Sequence, residues 1–260
     1  MKRRIAILLI VALAAVVLPC VSGCRRDESA GKAVKLYAGA GMRKGVDELI
    51  KAFSEQSGVR IDVEYGGSGP MMSRAKIAGD GDLFMPGDVG WVDQLHASAG
   101  IVEDKKLVAY FVPVIIVRKG NPEKILKLED FFRPGLTIAL GNEYCQVGKA
   151  SKKILEKNGL DIKDIEPKRL MRSKTVNELG LFVKTRRADA AIVWDAIAIN
   201  NSDALDMIEI PLERNRISQV VVGMLSTGRH KDDARKFVDF IVGDAGQEIL
   251  KQHGYRTSKP

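Results

Sequence analysis

Apolar positions along the chain alternate between short continuous runs and stretches of helical period. Residues 34–38 (VKLYA) form a buried-strand run that ends in Gly39-Ala40-Gly41. Over 42–56 the period lengthens, and Val46, Leu49, Ile50 and Phe53 fall on one helical face before Gly58 stops it. Residues 59–65 alternate as a second strand. Gly66, Gly67 and Gly69 then surround a single hydroxyl, Ser68, and Pro70 is placed to open a helix running to Gly79. Residues 82–85 make a third short strand, and Pro86-Gly87-Asp88 precedes another helix that continues over 91–99. Strand, helix, strand, helix, strand over 34–85 predicts a parallel α/β sheet. Each of its strands ends in a loop of small residues, the edge at which open α/β sheets bind ligands.

Residues 101–109 are expected to connect this unit to the next. Residues 110–118 (YFVPVIIVR) form a long apolar strand with Pro113 inside it, and a proline there indicates an edge or a crossover between lobes. After a short helix at 128–132, residues 136–140 (LTIAL) start a second sheet, and the loop 141–147 leads into a helix over 148–158. A weak strand at 169–174, a helix over 175–184 and a buried strand at 188–194 (ADAAIVW) follow. Helix resumes at 195–200, and 207–210 is one more strand. Residues 219–225 (QVVVGML) are expected to be the return crossing, and helices over 231–242 and 245–253 close the chain on the first lobe. The expected division is therefore 34–112 with 221–260 as lobe I and 113–220 as lobe II. The fold class is α/β, with each lobe a mainly parallel sheet flanked by helices and the two lobes joined by two hinge crossings.

The N-terminus gives an address. Lys2, Arg3 and Arg4 precede an apolar run over 5–19 that is short for a membrane span. Val21-Ser22-Gly23-Cys24 then matches the lipobox of bacterial lipoproteins. That match implies a signal peptide over 1–24, lipidation at Cys24, a polar tether over 25–33, and a membrane-anchored protein of the periplasm or cell surface. Of the three cysteines, Cys20 would be removed and Cys24 acylated, which leaves Cys145 alone and no disulfide in the mature chain. The 260 residues are 45% hydrophobic, enough for a full core. The formal charge of +8 falls to about +5 once the three basic leader residues are gone, which favours small anions. Nucleic acid is an implausible partner outside the cytoplasm.

Two strand-to-helix turns rich in glycine, within about thirty residues, place helix N-termini side by side, and such termini attract anions through unpaired N–H groups and the helix dipole. Enzyme chemistry finds little support. The chain has no paired carboxylates in a glycine-framed pocket, no G-x-S-x-G elbow, no histidine placed to activate Ser68 and no P-loop lysine. A lone Cys145 beside Tyr144 and Glu143, without a second cysteine or a histidine, is a poor metal site. His96, His230 and His253 are scattered.

The segments VKLYAGAGM, GDLFMPGDVGWVDQL, LTIALGN, ADAAIVWDA and DARKFVDFIVGDAGQEILKQHGY, in this order and spacing, resemble the periplasmic molybdate-binding proteins of ABC importers, class II solute-binding proteins. The resemblance spans Val34 to Arg256. It implies a two-lobed receptor, monomeric and without cofactor, that holds a tetrahedral oxyanion (molybdate or tungstate) between its lobes with neutral donors and delivers it to an ABC permease. By the same resemblance the donors fall on Gly41, Ser68 or Gly69, and Gly87 in the first lobe, and near Gly148 and on Val176 in the second. The family's cleft tyrosine falls on Trp194. Here the hydroxyl residue of the first loop is Gly41, and tryptophan can donate a hydrogen bond but not accept one. These departures leave room for tungstate, sulfate or another anion, or for a sensory lipoprotein that keeps the fold without transport.

Overall fold

The computed structural model describes residues 33–260. The leader, Cys24 and the tether up to residue 32 lie outside the described residues. Among the described residues no helix is long and apolar enough to cross a membrane.

The chain builds two five-stranded sheets. The first half-turns of the fold are β1 (Ala33–Gly39), a 3-10 turn (Ala40–Met42), α1 (Arg43–Ser57), β2 (Arg60–Gly66), α2 (Ser68–Ala78), β3 (Leu83–Met85), α3 (Val89–Ala99) and β4 (Val102–Phe111). The chain then enters the second sheet with β5 (Pro113–Arg118), β6 (Ile138–Gly141), α4 (Gln146–Lys157), β7 (Leu170–Ser173), α5 (Val176–Lys184), β8 (Ala190–Trp194), α6 (Asp195–Ile199) and β9 (Leu205–Glu209). It returns through β10 (Ser218–Leu225) and ends in α7 (Lys231–Val242) and α8 (Asp244–Gln252).

Strand order is β2-β1-β3-β10-β4 in the first sheet and β7-β6-β8-β5-β9 in the second. Three neighbours in each sheet are parallel, and the fourth strand, β10 or β5, runs against the strands on both its sides. The sheets are thus mixed, with a single reversed strand in each. That strand follows a crossing between lobes, so the reversal is the geometric consequence of the crossings. The two lobes repeat one topology without an evident repeat in sequence.

Several boundaries differ from the sequence expectation. Residues 102–111 are not a connection but the edge strand β4, paired along its length with β10. Its first half, Glu103 to Lys106, is exposed and charged, which suits an edge that must not recruit another strand and which hides the strand from a search for apolar runs. The apolar run over 110–118 is two strands, broken at Val112. Pro113 opens β5, where its missing N–H costs no ladder bond. The return crossing lies at 215–217, ahead of β10, so Ser218 to Val220 sit in the first sheet and the 220/221 boundary falls inside a strand of that sheet. Helices α2 and α4 each begin two residues before the expected start, and Pro70 is the third helical residue.

Helix α1 ends on Gly58 at φ 71°, a left-handed cap open to glycine at no steric cost. It buries Val46, Leu49 and Phe53, and Phe53 packs on Phe237 and Phe240 at 5.0 and 5.6 Å between ring centroids. The closing helix α7 is thereby fixed to the first lobe. The second lobe's core is the β5–β6–β8 layer of Ile115, Ile138 and Ile192, all fully buried.

Candidate functional site

Five helix beginnings meet where the two sheets face each other. The turn before α1 brings Ala40 and Gly41, and the start of α2 brings Gly67 and Ser68. Gly87 precedes the cap of α3, Gln146 and Val147 begin α4, and Thr175 with Val176 begins α5. Together with Trp194, Phe111 and Cys145 they enclose a cavity of about 20 Å³. Organic ligands occupy cavities of about 300–1,000 Å³, so the space is far too small for a drug-sized molecule. Its lining contains no ionisable carboxylate, lysine, arginine or histidine. The first N–H groups of a helix have no partner within it and carry partial positive charge. Five such ends around one neutral hollow make an anion site without counter-charges.

The local bonds decide which groups remain free. Ser68 Oγ accepts a hydrogen bond from Gly87 N at 3.1 Å, so its own proton remains available to a ligand. Gly69 is not in the lining, and its N–H crosses to Tyr144 O at 3.0 Å. Gly148 is not in the lining either. Its N–H is spent on Cys145 O at 2.9 Å, and a Cβ there would sit 2.1 Å from Asn142 O. At this corner the hollow is lined by Gln146 and Val147, the first turn of a helix that starts two residues before Gly148. Gly148 is a glycine of close backbone packing. Gly41, Ser68, Gly87, Val176 and Trp194 do gather around the one cavity.

Trp194 is 2% exposed and stacks on Phe111, with centroids 4.7 Å apart and rings within 4° of parallel. Its indole N–H has no hydrogen-bond partner among the described residues, and it borders the cavity. A Cβ on Gly41 would lie 3.0 Å from Trp194 Cδ1 and 3.2 Å from Nε1. The indole edge thus fills the volume that a side chain at position 41 would need. Losing the hydroxyl residue does not widen the hollow. Tyr255 Oη holds the other side of this turn by donating to Gly41 O at 2.9 Å.

The lobes approach closely because the first presents glycines to the second. A Cβ on Gly67 would stand 2.8 Å from Lys174 O, one on Gly69 3.2 Å from Tyr144 O, and one on Gly87 3.1 Å from Gln146 Cβ. Much of the glycine in these loops therefore serves lobe contact as well as anion access. Gln146, which sequence reasoning passed over, is buried and spans the seam. Its Oε1 accepts from Trp91 Nε1 at 2.8 Å, and its Nε2 donates to Ser218 Oγ at 3.1 Å. Lys149, one turn on, lies 3.5 Å from the centre of the Trp91 ring, and its partial burial lowers its pKa. The only advance signal for Gln146 was an amide at the true first position of α4.

Near the crossings, Asp195 is 1% exposed and receives Arg256 Nε at 2.7 Å and Ala196 N at 3.0 Å, while its own N–H donates to Val112 O at 2.9 Å. Burial pushes its pKa up against the pull of Arg256. Cys145 lines the hollow as a free, buried thiol, and burial pushes its pKa up to about 11. It is neutral at physiological pH and no thiolate ligand. Tyr144 beside it is exposed. Among the described residues no cluster of His, Cys, Asp and Glu is arranged for a metal.

Two mixed sheets joined by two crossings, with a neutral ring of helix N-termini in the seam, define a two-lobed binding protein. The chain belongs to the bacterial extracellular solute-binding protein family, which it matches over residues 34–256. It is a solute receptor that works outside the cytoplasm, not an enzyme. Over 249 residues it is 23% identical to the molybdate-binding protein ModA of Mycobacterium tuberculosis, covering 94% of each chain. The periplasmic molybdate-binding protein of Azotobacter vinelandii superposes with a TM-score of 0.76 at 18% identity, over 87% of this chain and all of that one. The sulfate-binding protein SubI of Mycobacterium tuberculosis gives 0.78 at 19% identity, over 88% of each.

Proposed function

We propose that the protein captures a fully ionised tetrahedral oxyanion, molybdate first, and presents it to an ABC importer. The observation that carries this reading is the small hollow lined by residues at five helix N-termini and by no charged side chain. The hollow offers donors almost throughout. The first-turn N–H groups, the Ser68 proton and the Trp194 indole all give hydrogen bonds. Ser68 Oγ already accepts from Gly87 N, a bond that uses one of its two lone pairs and the Gly87 N–H as well. A ligand carrying its own proton would set donor against donor in a dry cleft, at a cost of about 1–3 kcal/mol for the unmade bond. Selection would then follow charge state and size.

The resemblance to molybdate receptors supports molybdate over sulfate, and tungstate shares its charge and shape. Lipidation at Cys24 would keep the receptor at the membrane beside its permease, and closure about the crossings near Pro113 and Ser218 would complete the ring of donors. A thermal-shift screen tests the reading with molybdate, tungstate, sulfate, phosphate, arsenate, chromate and divalent cations. A ligand at a hundredfold its Kd adds about 2.7 kcal/mol of stability. A shift confined to molybdate and tungstate is expected, and a shift with divalent cations alone, or with none of the oxyanions, overturns it. Ser68→Ala should weaken the effective oxyanion by about 1.5–3 kcal/mol, the worth of one hydrogen bond to a charged partner. Unchanged affinity in calorimetry would remove Ser68 from the site.

A further inference from the structure

A second, larger cavity opens on the other side of Gly41. It holds about 260 Å³ and lies across the seam, with Arg43 and Lys44 from the first lobe facing Asn177, Lys184, Asn200 and Asn201 from the second. It shares the Ala40–Gly41 backbone with the anion hollow but is more than ten times its volume. Its electrostatics are one-sided. Three cationic side chains line it, and no carboxylate does. Among the described residues neither Arg43 nor Lys44 has a carboxylate within 4 Å. Asp47, one turn along α1, accepts instead from Tyr65 Oη at 2.6 Å, and Arg43 stacks on that tyrosine ring at 4.0 Å. Lys184 reaches Asp203 only at 3.9 Å and Asn201 Oδ1 at 3.5 Å. Two polar contacts cross this part of the seam, Lys44 Nζ to Asn200 O at 3.2 Å and Asn200 Nδ2 to His253 O at 2.7 Å.

A concave wall of one sign focuses its field and concentrates counter-ions. Asn177 adds an uncharged amide between the cations, whereas Asn200 Nδ2 already donates to Ala196 O and His253 O at 2.7 Å and Asn201 Nδ2 to Ile197 O at 2.8 Å. The volume is near the lower end of the range for small organic ligands and far beyond what a bare oxyanion needs. We propose that this cavity is a second anion site, which takes a small organic polyanion bearing two or more carboxylate or phosphate groups. Because two of its cations come from one lobe and its uncharged amide and third cation from the other, the polyanion binds the closed arrangement better than the open one. Any ligand with that preference shifts the population toward closure and raises the affinity of the inner site by the same factor by which the inner ligand raises its own. The site is separate from the inner hollow and does not depend on which oxyanion the hollow takes.

The test is titration calorimetry of the purified full chain with tricarballylate, a tricarboxylate without the hydroxyl that would chelate molybdenum. Binding is expected in wild type and weakened about tenfold or more in the Lys44→Ala/Lys184→Ala double variant, whose exposed positions leave the melting temperature unchanged. With molybdate at saturation, or whichever oxyanion the thermal screen identifies, tricarballylate should bind more tightly than without it, and unchanged affinity overturns the coupling. Absence of binding to wild type, or equal binding to the double variant, overturns the site. Competition between tricarballylate and the inner oxyanion overturns its separateness. Failure of molybdate alone, with charge-dependent tricarballylate binding intact, counts against the inner-ligand reading and not against this one.

Discussion

At the scale of single residues, Gly41 and Trp194 act as one feature. The indole edge stands 3.0–3.2 Å from where a Cβ at position 41 would be, tighter than ordinary contact, and stacking on Phe111 leaves the ring no easy retreat. Gly41→Ser restores the hydroxyl suggested by resemblance but pushes the indole against Phe111, and overpacking of this kind costs about 1–3 kcal/mol. The variant is expected to melt lower and bind the oxyanion more weakly. Adding Trp194→Tyr, which removes the larger ring, should recover both. A double-mutant cycle in calorimetry reads the coupling, and additive effects would show the two positions to be independent. Position 41 also shows why residue-level reading has limits. The sequence shows a missing hydroxyl, while only the packing shows what fills its place.

At the scale of elements, most strands and helices were legible, because buried runs and 3.6-residue periods report burial directly. The failures have particular causes. Strand β4 faces water with Glu103, Asp104, Lys105 and Lys106, so an apolar-run search passes over it. Helix α4 begins at Gln146 rather than at Gly148, since a helix start is set by backbone bonds such as Gly148 N to Cys145 O that leave little trace in composition. That two-residue shift puts Gln146 and Val147, rather than Gly148, against the hollow. At α5 the start was legible, because Thr175 is a favoured cap and its hydroxyl accepts from Glu178 N at 3.4 Å. Glu178 in turn reaches back to the Ser173 hydroxyl and to Lys174 N at 3.2 Å, and the Ser173 bond, helped by these N–H groups, holds its pKa below the ordinary carboxylate value. A depressed folded-state pKa contributes stability that is full above the unfolded value, near 4.5, and is lost as pH falls through the lower folded value. Wild type should therefore lose more stability on acidification below pH 4.5 than Glu178→Gln does. Parallel melting curves for the two proteins at pH 3–7 would show the carboxylate to be idle.

At the scale of the whole molecule, the two lobes meet through direct side-chain and backbone contacts along the seam. From the second lobe Gln146 reaches across the seam to both Trp91 and Ser218 of the first, Gly69 N bonds Tyr144 O, and Lys149 covers the Trp91 ring. By contrast, Asp195, Val112 and Arg256 tie the lobes where the chain crosses and can persist as the cleft opens. A ligand that bridges the helix N-termini gains affinity from every contact formed only on closure, and loses affinity when such a contact is removed, because less of the closed state is populated. Gln146→Ala deletes two buried hydrogen bonds and leaves Trp91 Nε1 without its partner. The variant should bind the oxyanion about fivefold or more weakly, given about 0.5–1.5 kcal/mol for each of the two bonds. Its radius of gyration in solution scattering should be larger than that of wild type without ligand and should return to the wild-type value at saturation. A variant that matches wild type in both affinity and radius would show that closure does not run through Gln146, and that the first-lobe glycines and their backbone contacts hold the seam by themselves.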